Sequence, residues 1–384
     1  MGTSPTSIGT PGDGLKTQYR SVGGNRLHLY TDGDDAFEAA FQAMQGAKER
    51  VWLETYIFEP DEVGDMARGA LVDAARRGCS VILLIDRWGS PKIDRRYIQP
   101  ILEAGGRAAV FNPILPWRKI GRKLESVRHR DHRKLLITDD VGFCGGANVS
   151  LDYGGPGPEL FFDLTLQAEG PVVQDMAAAF LDTLLTVTGD APPVPPRPSE
   201  IKNGSVAQVL ALSGKDGRRD LDLALENALE LTADTCLVMT PYLIPPDWFV
   251  AALTAASRRG ADVRLMTAGR TDVPLARMAG RHLYEMLLRA GVRIFELQHP
   301  NLHAKSLTID GRYSIVGSYN VDVYGSRHNL EIGIASTDAE LARRLEVEFD
   351  RRTAQGREIY VDEWRDRPAW AHVLERLANR LLRL

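Results

Sequence analysis

Apolar positions along this chain switch repeatedly between a strand-like and a helical period, and the switches come in the same order twice. Val51-Trp52-Leu53-Glu54-Thr55-Tyr56-Ile57-Phe58 is a short apolar run rich in aromatic and β-branched residues, which predicts a strand. Glu62 to Arg77 then carries apolar residues at helical spacing, Gly78 supplies the C-cap, and Ser80-Val81-Ile82-Leu83-Leu84-Ile85 reads as the next strand. The order returns further on, with a strand at Cys236 to Tyr242, a helix at Asp247 to Arg259, a stop at Gly260 and a strand at Ala261 to Thr267. Strand, helix and strand with short connections imply a parallel pair joined by a right-handed crossover.

Between the two series lies Gly189 to Gly204, whose Ala191-Pro192-Pro193-Val194-Pro195-Pro196-Arg197-Pro198 is too stiff for a helix or a sheet interior. An internal duplication is the reading: an α/β protein of two similar domains related by a pseudo-twofold axis, each a mixed sheet flanked by helices. The expected boundaries are a loose tail over 1–17, a first domain over 18–188, a linker over 189–204, a second domain over 205–366, and an amphipathic C-terminal helix over 367–384.

Each half carries the same polar pattern in a strand-like setting. His132, Lys134 and Asp139 in the first recur as His303, Lys305 and Asp310 in the second, an H-x-K-x4-D spacing written twice. Each copy runs into a glycine turn and an asparagine: Gly145-Gly146-Ala147-Asn148 and Gly317-Ser318-Tyr319-Asn320. In an extended segment residues i and i+2 share a face, so each strand offers an imidazole beside an ammonium. Brought together across a twofold interface, two imidazoles, two lysines and the donors of Asn148, Asn320, Ser318 and Gly146 suit a phosphodiester.

One imidazole can attack phosphorus to form a phospho-histidine, while the other protonates the leaving oxygen and later deprotonates the incoming hydroxyl. The symmetry of the two copies leaves open which histidine attacks. An imidazole that reacts through one nitrogen needs the other held, and Asp163 and Glu331, in apolar strands downstream of each motif, are assigned that task. Asp139 and Asp310 close their strands and are read as structural turn residues. Glu54 is either a pocket carboxylate or a strand residue on a solvated face. His28, His129, His282, His299, His328 and His372 have no duplicated context and are assigned to surface or packing.

Composition narrows the substrate only slightly. The formal charge of −4 argues against general affinity for polyanions, and no specific nucleic acid is expected. Clustered carboxylate or Cys/His ligand spacings are absent from the sequence, and lysines stand where a cation would balance a phosphate, so neither metal nor cofactor is expected. Cys79, Cys144 and Cys236 lie inside apolar runs and read as buried small hydrophobes in a reducing compartment.

With these residues in place the chain resembles the phospholipase D superfamily and, within it, the bacterial cardiolipin synthases. Beyond the paired motifs the likeness rests on Glu54-Thr55-Tyr56-Ile57-Phe58, Asp61-Glu62-Val63-Gly64, Thr240-Pro241-Tyr242-Leu243-Ile244-Pro245 and the run from Gly269 to Glu296. The resemblance implies transfer of a phosphatidyl group from one phosphatidylglycerol to a second, with glycerol leaving, His132 as nucleophile and His303 as acid and base. The runner-up readings are a phospholipid hydrolase with water as acceptor, a nuclease of the same superfamily, and a non-catalytic lipid-binding scaffold. Three features depart from the family's pattern. The first motif's turn is one residue shorter, with Gly146 where the second copy has Ser318; the N-terminal membrane-spanning helices found in many relatives are not read in this sequence; and Tyr319 occupies a position where a small residue is common.

No apolar run is long enough to cross a bilayer, so a lipid enzyme needs another attachment, and a cytoplasmic protein bound peripherally to the membrane is expected. Trp370, Leu374, Leu377, Leu381 and Leu384 recur at steps of three and four with Val373, flanked by Arg376, Arg380 and Arg383, which fits an interfacial helix meeting anionic lipid. A helix packed on the core would show the same periodicity. Trp117, in the basic run Ile114 to Lys123, is a second candidate contact.

Overall fold

The computed structural model describes residues 19–112, 128–155, 160–214 and 216–383. The tail, the Trp117 loop and Leu384 lie outside the described residues.

In the first half the strands run across the sheet in the order Arg107–Phe111, Ser80–Asp86, Arg50–Thr55, Leu135–Thr138, Val141–Gly145, Thr165–Glu169 and Val22–Tyr30. The first three are parallel, linked by helices Glu62–Arg76 and Arg95–Glu103, and the rest antiparallel. The second half repeats the order as Arg293–Leu297, Asp262–Ala268, Thr235–Met239, Ser306–Ile309, Tyr313–Gly317, Asn329–Ser336 and Ser205–Ser213. It adds Gly356–Ile359 antiparallel to Arg293–Leu297, pairing an edge that would otherwise stay open. The duplicated α/β architecture expected from the sequence is what is observed.

The first half's central parallel strand is apolar because both of its faces are covered. Val81 to Ile85 are all buried, with alternate residues facing an outer helix layer and the space between the sheets. That inner space is filled from both halves, by Trp52, Ile137, Leu166 and Phe180 from one and Val209, Met239, Val316 and Ile332 from the other. Helix Val172–Thr188 lies within it, apolar on nearly every side. The proline-rich segment is pinned to that helix, where Arg197 pairs with Asp175 at 2.9 Å and Pro195 accepts from Gln174 at 2.8 Å.

The halves also exchange backbone pairing. Val22–Tyr30 meets Ser205–Ser213 edge to edge. Two short parallel ladders cross the interface, Arg130–Asp131 against Asn329–Leu330 and Phe161–Phe162 against Asn301–Leu302. Each ladder ends where a motif histidine or a downstream carboxylate begins.

Some boundaries differ from the sequence reading. The strand expected to reach Tyr242 stops at Met239, ahead of Pro241, which has no N–H to give to a ladder. The run Phe161 to Leu166 breaks at Asp163 and Leu164, because Phe161–Phe162 pairs with the opposite half and Thr165–Glu169 with its own.

Candidate active site

The crossing ladders deliver His132 and His303 to one cleft of about 830 Å³ between the halves. Each ring is held from the other side. His132 Nδ1 lies 3.0 Å from Glu331 Oε2, and His303 Nδ1 lies 2.5 Å from Asp163 Oδ2. Both carboxylates are buried, which makes an unshared charge expensive and a bound imidazole N–H favourable. Such a bond fixes the neutral tautomer and leaves Nε2 as the reactive nitrogen.

Glu331 is further bound by Ser318 Oγ at 2.5 Å and Asn329 Nδ2 at 3.1 Å. Asp163 instead takes the Leu164 N–H at 2.7 Å. Gly146, the counterpart of Ser318, is required by this difference, since a Cβ there would stand 2.4 Å from Asp163 Oδ1.

The two lysines curl back on their own strands. Lys134 Nζ donates to the His132 carbonyl at 2.7 Å, and Lys305 Nζ donates to the His303 carbonyl and lies 2.7 Å from His303 Nδ1. Burial pulls the Lys134 ammonium down to about 7, with Glu331 opposing and Lys305 adding to the fall. Lys305 falls to about 8, chiefly through burial, with Asp163 opposing. Burial and then Lys305 lower His303 to about 4, against the pull of Asp163. Burial also lowers His132, against Glu331. Both imidazoles are therefore neutral near pH 7, the form a nucleophile needs.

The four groups expected at the phosphate are placed differently from one another. Asn320 lines the cleft and its Oδ1 is buried without a hydrogen bond. Asn148 gives Nδ2 to the Tyr153 hydroxyl at 2.7 Å and takes the Ile57 N–H on Oδ1 at 3.1 Å. Ser318 and Gly146 stand behind the carboxylates, as above. Tyr319 turns away into the second-half core, where its hydroxyl donates to Asp222 at 2.8 Å.

Asp139 and Asp310 sit at positive φ in the turns that close their hairpins. Asp139 accepts from the backbone of Lys48, Glu49 and Arg50, and Asp310 from Ala233, Asp234 and Thr235, all within 3.0 Å. Burial alone would raise the Asp310 carboxyl, yet these three N–H donors hold it low.

Three aromatic residues escaped the sequence reading as site residues. Tyr56 packs edge-on to His132 at 5.0 Å, and Tyr153 to His303 at 5.1 Å with its hydroxyl 3.4 Å from Nε2. Tyr56 and Tyr242 follow equivalent strands, Arg50–Thr55 and Thr235–Met239, at the carboxyl ends where α/β sheets receive ligands. That position was a signal available in the sequence.

Glu54 is neither in the cleft nor on a solvated face: it is fully buried beside Asp131 and Thr183. With it is Arg133, which donates to Thr183 at 2.9 Å. Burial drives both carboxyls up, and for Asp131 the Glu54 charge adds to the rise, while Arg133 opposes it. Through the shared register the equivalents in the second half are Met239, Leu302 and Ala304. The first half thus buries three ionisable groups where the second is apolar.

The sequence also matches known proteins. A family model described as "Cardiolipin synthase, PLD-like domain" matches residues 41–154 and 225–353. Cardiolipin synthase A of Pseudomonas fluorescens is 31% identical over 94% of this chain and 74% of its own length. Cardiolipin synthase B of Escherichia coli is 30% identical over 86% of this chain and 80% of its own. The crystal structure of a phosphatidylserine synthase from Haemophilus influenzae superposes with a TM-score of 0.70 at 15% identity, over 92% of this chain and 93% of that one, a likeness of fold. Taken with the paired motifs meeting at one cleft, these matches place the chain in the cardiolipin synthase family of phospholipase D-like proteins.

Proposed function

We infer that the protein is a phosphatidyltransferase of cardiolipin synthase type, moving a phosphatidyl group from phosphatidylglycerol to the hydroxyl of a second phosphatidylglycerol. The observation that carries this reading is the reciprocal clamp: two imidazoles in one cleft, each held at Nδ1 by the other half's carboxylate. In the first step neutral His132 Nε2 bonds to phosphorus, the bond from phosphorus to the glycerol oxygen breaks, and His303, protonated on Nε2 once the anionic phosphodiester is bound, gives that oxygen its proton. In the second, His303 takes the proton of the acceptor hydroxyl, whose oxygen bonds to phosphorus as the bond to His132 breaks. Lys134, Lys305 and Asn320 balance the phosphoryl oxygens. An anionic phosphodiester beside Lys305 offsets the positive field that keeps His303 hard to protonate. Asn148 holds Tyr153 against His303, and Ser318 holds Glu331 against His132.

A peripheral attachment to the membrane goes with this activity. Among the described residues no helix is long and apolar enough to cross a bilayer. Helix Ala369–Arg383 turns Ala378, Asn379 and Glu375 inward, with Asn379 Nδ2 donating to the Ala279 carbonyl at 3.0 Å. Its apolar stripe faces outward: Trp370 is 65% exposed, Leu377 56% and Leu381 59%. The helix therefore packs by one face and offers the other to anionic phospholipid, with Arg376 and Arg380 on the flank.

The test is product analysis by mass spectrometry after incubation with phosphatidylglycerol vesicles, and separately with single-stranded DNA. Cardiolipin and free glycerol in equal amounts are expected. Phosphatidic acid alone would replace the transferase reading with a hydrolase, and cleaved DNA without lipid turnover would replace it with a nuclease.

A further inference from the structure

On the far side of the short helix Val323–His328 from the cleft lies a second hollow, of about 200 Å³, that the reaction does not use. Tyr324 lines the cleft, whereas Ser326 and Arg327 line the hollow. Arg219 and Arg383 complete its basic wall and Trp248 closes one side. Among the described residues its lining sets three arginines against one carboxylate, Asp247, a net charge of +2.

The cations are incompletely neutralised. Arg327 donates to the Arg383 carbonyl at 3.4 Å and, among the described residues, has no carboxylate within ion-pair distance. Arg383 gives one terminal nitrogen to Asp247 at 2.6 Å and the other to the Pro245 carbonyl at 2.5 Å, so it adds charge to the wall with its fork already engaged. Arg219 pairs at 3.2 Å with Asp222, whose charge is already shared by Tyr319 and Ser326 hydroxyls. Helix Asp247–Arg258 opens on the same hollow with no side-chain cap on its first turn, so its dipole adds to the positive field. Arg383 belongs to the C-terminal helix whose apolar stripe is exposed.

We propose that this hollow is a headgroup site for the phosphate of an anionic phospholipid, distinct from the catalytic cleft, with Arg219 and Arg327 as its donors and Arg383 adding to the positive field. Guanidinium forks match phosphate oxygens in pairs, and the hollow has room for a phosphate with part of its glycerol. A lipid seated there, with the neighbouring stripe in the acyl layer, anchors the protein beside the cleft. The proposal rests on the lipid-enzyme reading above.

The test is sedimentation of the full chain with phosphatidylcholine vesicles carrying or lacking phosphatidylglycerol. It compares R219Q/R327Q with R376Q/R380Q, which removes equal charge outside the hollow. Diffuse attraction weakens binding by about fivefold per arginine in both. A headgroup site makes the first pair lose at least about tenfold more than the second. Replacing chloride by inorganic phosphate at constant ionic strength should release the wild type but leave the residual binding of R219Q/R327Q unchanged. Equal losses in the two pairs would overturn the proposal. So would a phosphate-dependent rise in Tm that requires Arg219 and Arg327 without any effect on vesicle binding, since the ligand would then be free phosphate. Turnover of phosphatidylglycerol in detergent micelles, measured on the wild type, reports on the catalytic reading separately. Its absence with arginine-dependent vesicle binding intact would sink that reading alone.

Discussion

Each motif imidazole is fixed by a carboxylate that reaches it from the opposite half, so damage at one residue should appear across the interface. Glu331→Gln should disable His132, and Asp163→Asn should disable His303, each lowering kcat by about two to four orders of magnitude with KM little changed. A loss confined to KM would remove the orienting role. The lysines set the pH response. Burial brings Lys134 down to about 7 and Lys305 to about 8. Below these values both are charged and attract the anionic substrate; above them that attraction is lost. The ratio kcat/KM should therefore fall as pH rises from about 7 to 9, and a Lys134→Arg variant that retains activity should show a flatter alkaline limb. A profile with no decline in that window would contradict the assignment.

At the scale of elements, the hairpin turns and the buried ionisable trio serve to hold the motif strands in place. Asp139→Ala strands three backbone N–H groups at once and should destabilise the fold by about 1–3 kcal/mol, with Asp310→Ala alike, as read by urea unfolding. The trio behaves differently from an ordinary salt bridge. Arg133→Ala leaves two buried carboxylates without their cation and should cost about 3–5 kcal/mol. The triple change E54M/D131L/R133A copies the apolar pattern of the second half and should recover most of that loss. A triple variant less stable than the single one would show that the trio's packing, rather than its charge, is what matters.

For the whole molecule, the proposed membrane attachment assigns the outward stripe of the C-terminal helix to bringing the cleft to its substrate. Point changes separate this better than truncation, because Ala378 and Asn379 pack against helix Pro274–Arg281 and deletion would bare that surface. L377E/L381E should weaken binding to phosphatidylglycerol vesicles by at least about tenfold. Its Tm should stay within about 2 °C of the wild type, because both side chains are already exposed. A large fall in Tm would mean that the stripe is part of the fold.

Local chemistry was legible in the chain itself. Period-two placement put His132 with Lys134 and His303 with Lys305 on common faces, and apolar runs bounded by glycine gave the parallel units, because such features depend on neighbours a few residues apart. Asp163 and Glu331 were legible as buried carboxylates, since charge in an apolar strand demands a partner. Which histidine each one holds was not, because that pairing is set by the register of Arg130–Asp131 on Asn329–Leu330 and of Phe161–Phe162 on Asn301–Leu302, segments far apart in sequence. The same limit hid Tyr153, the burial of Glu54 and the outward face of the last helix. An amphipathic stripe has the same period whether it meets a core or a membrane, and only the docking of the last helix on helix Pro274–Arg281 determined which face was left uncovered.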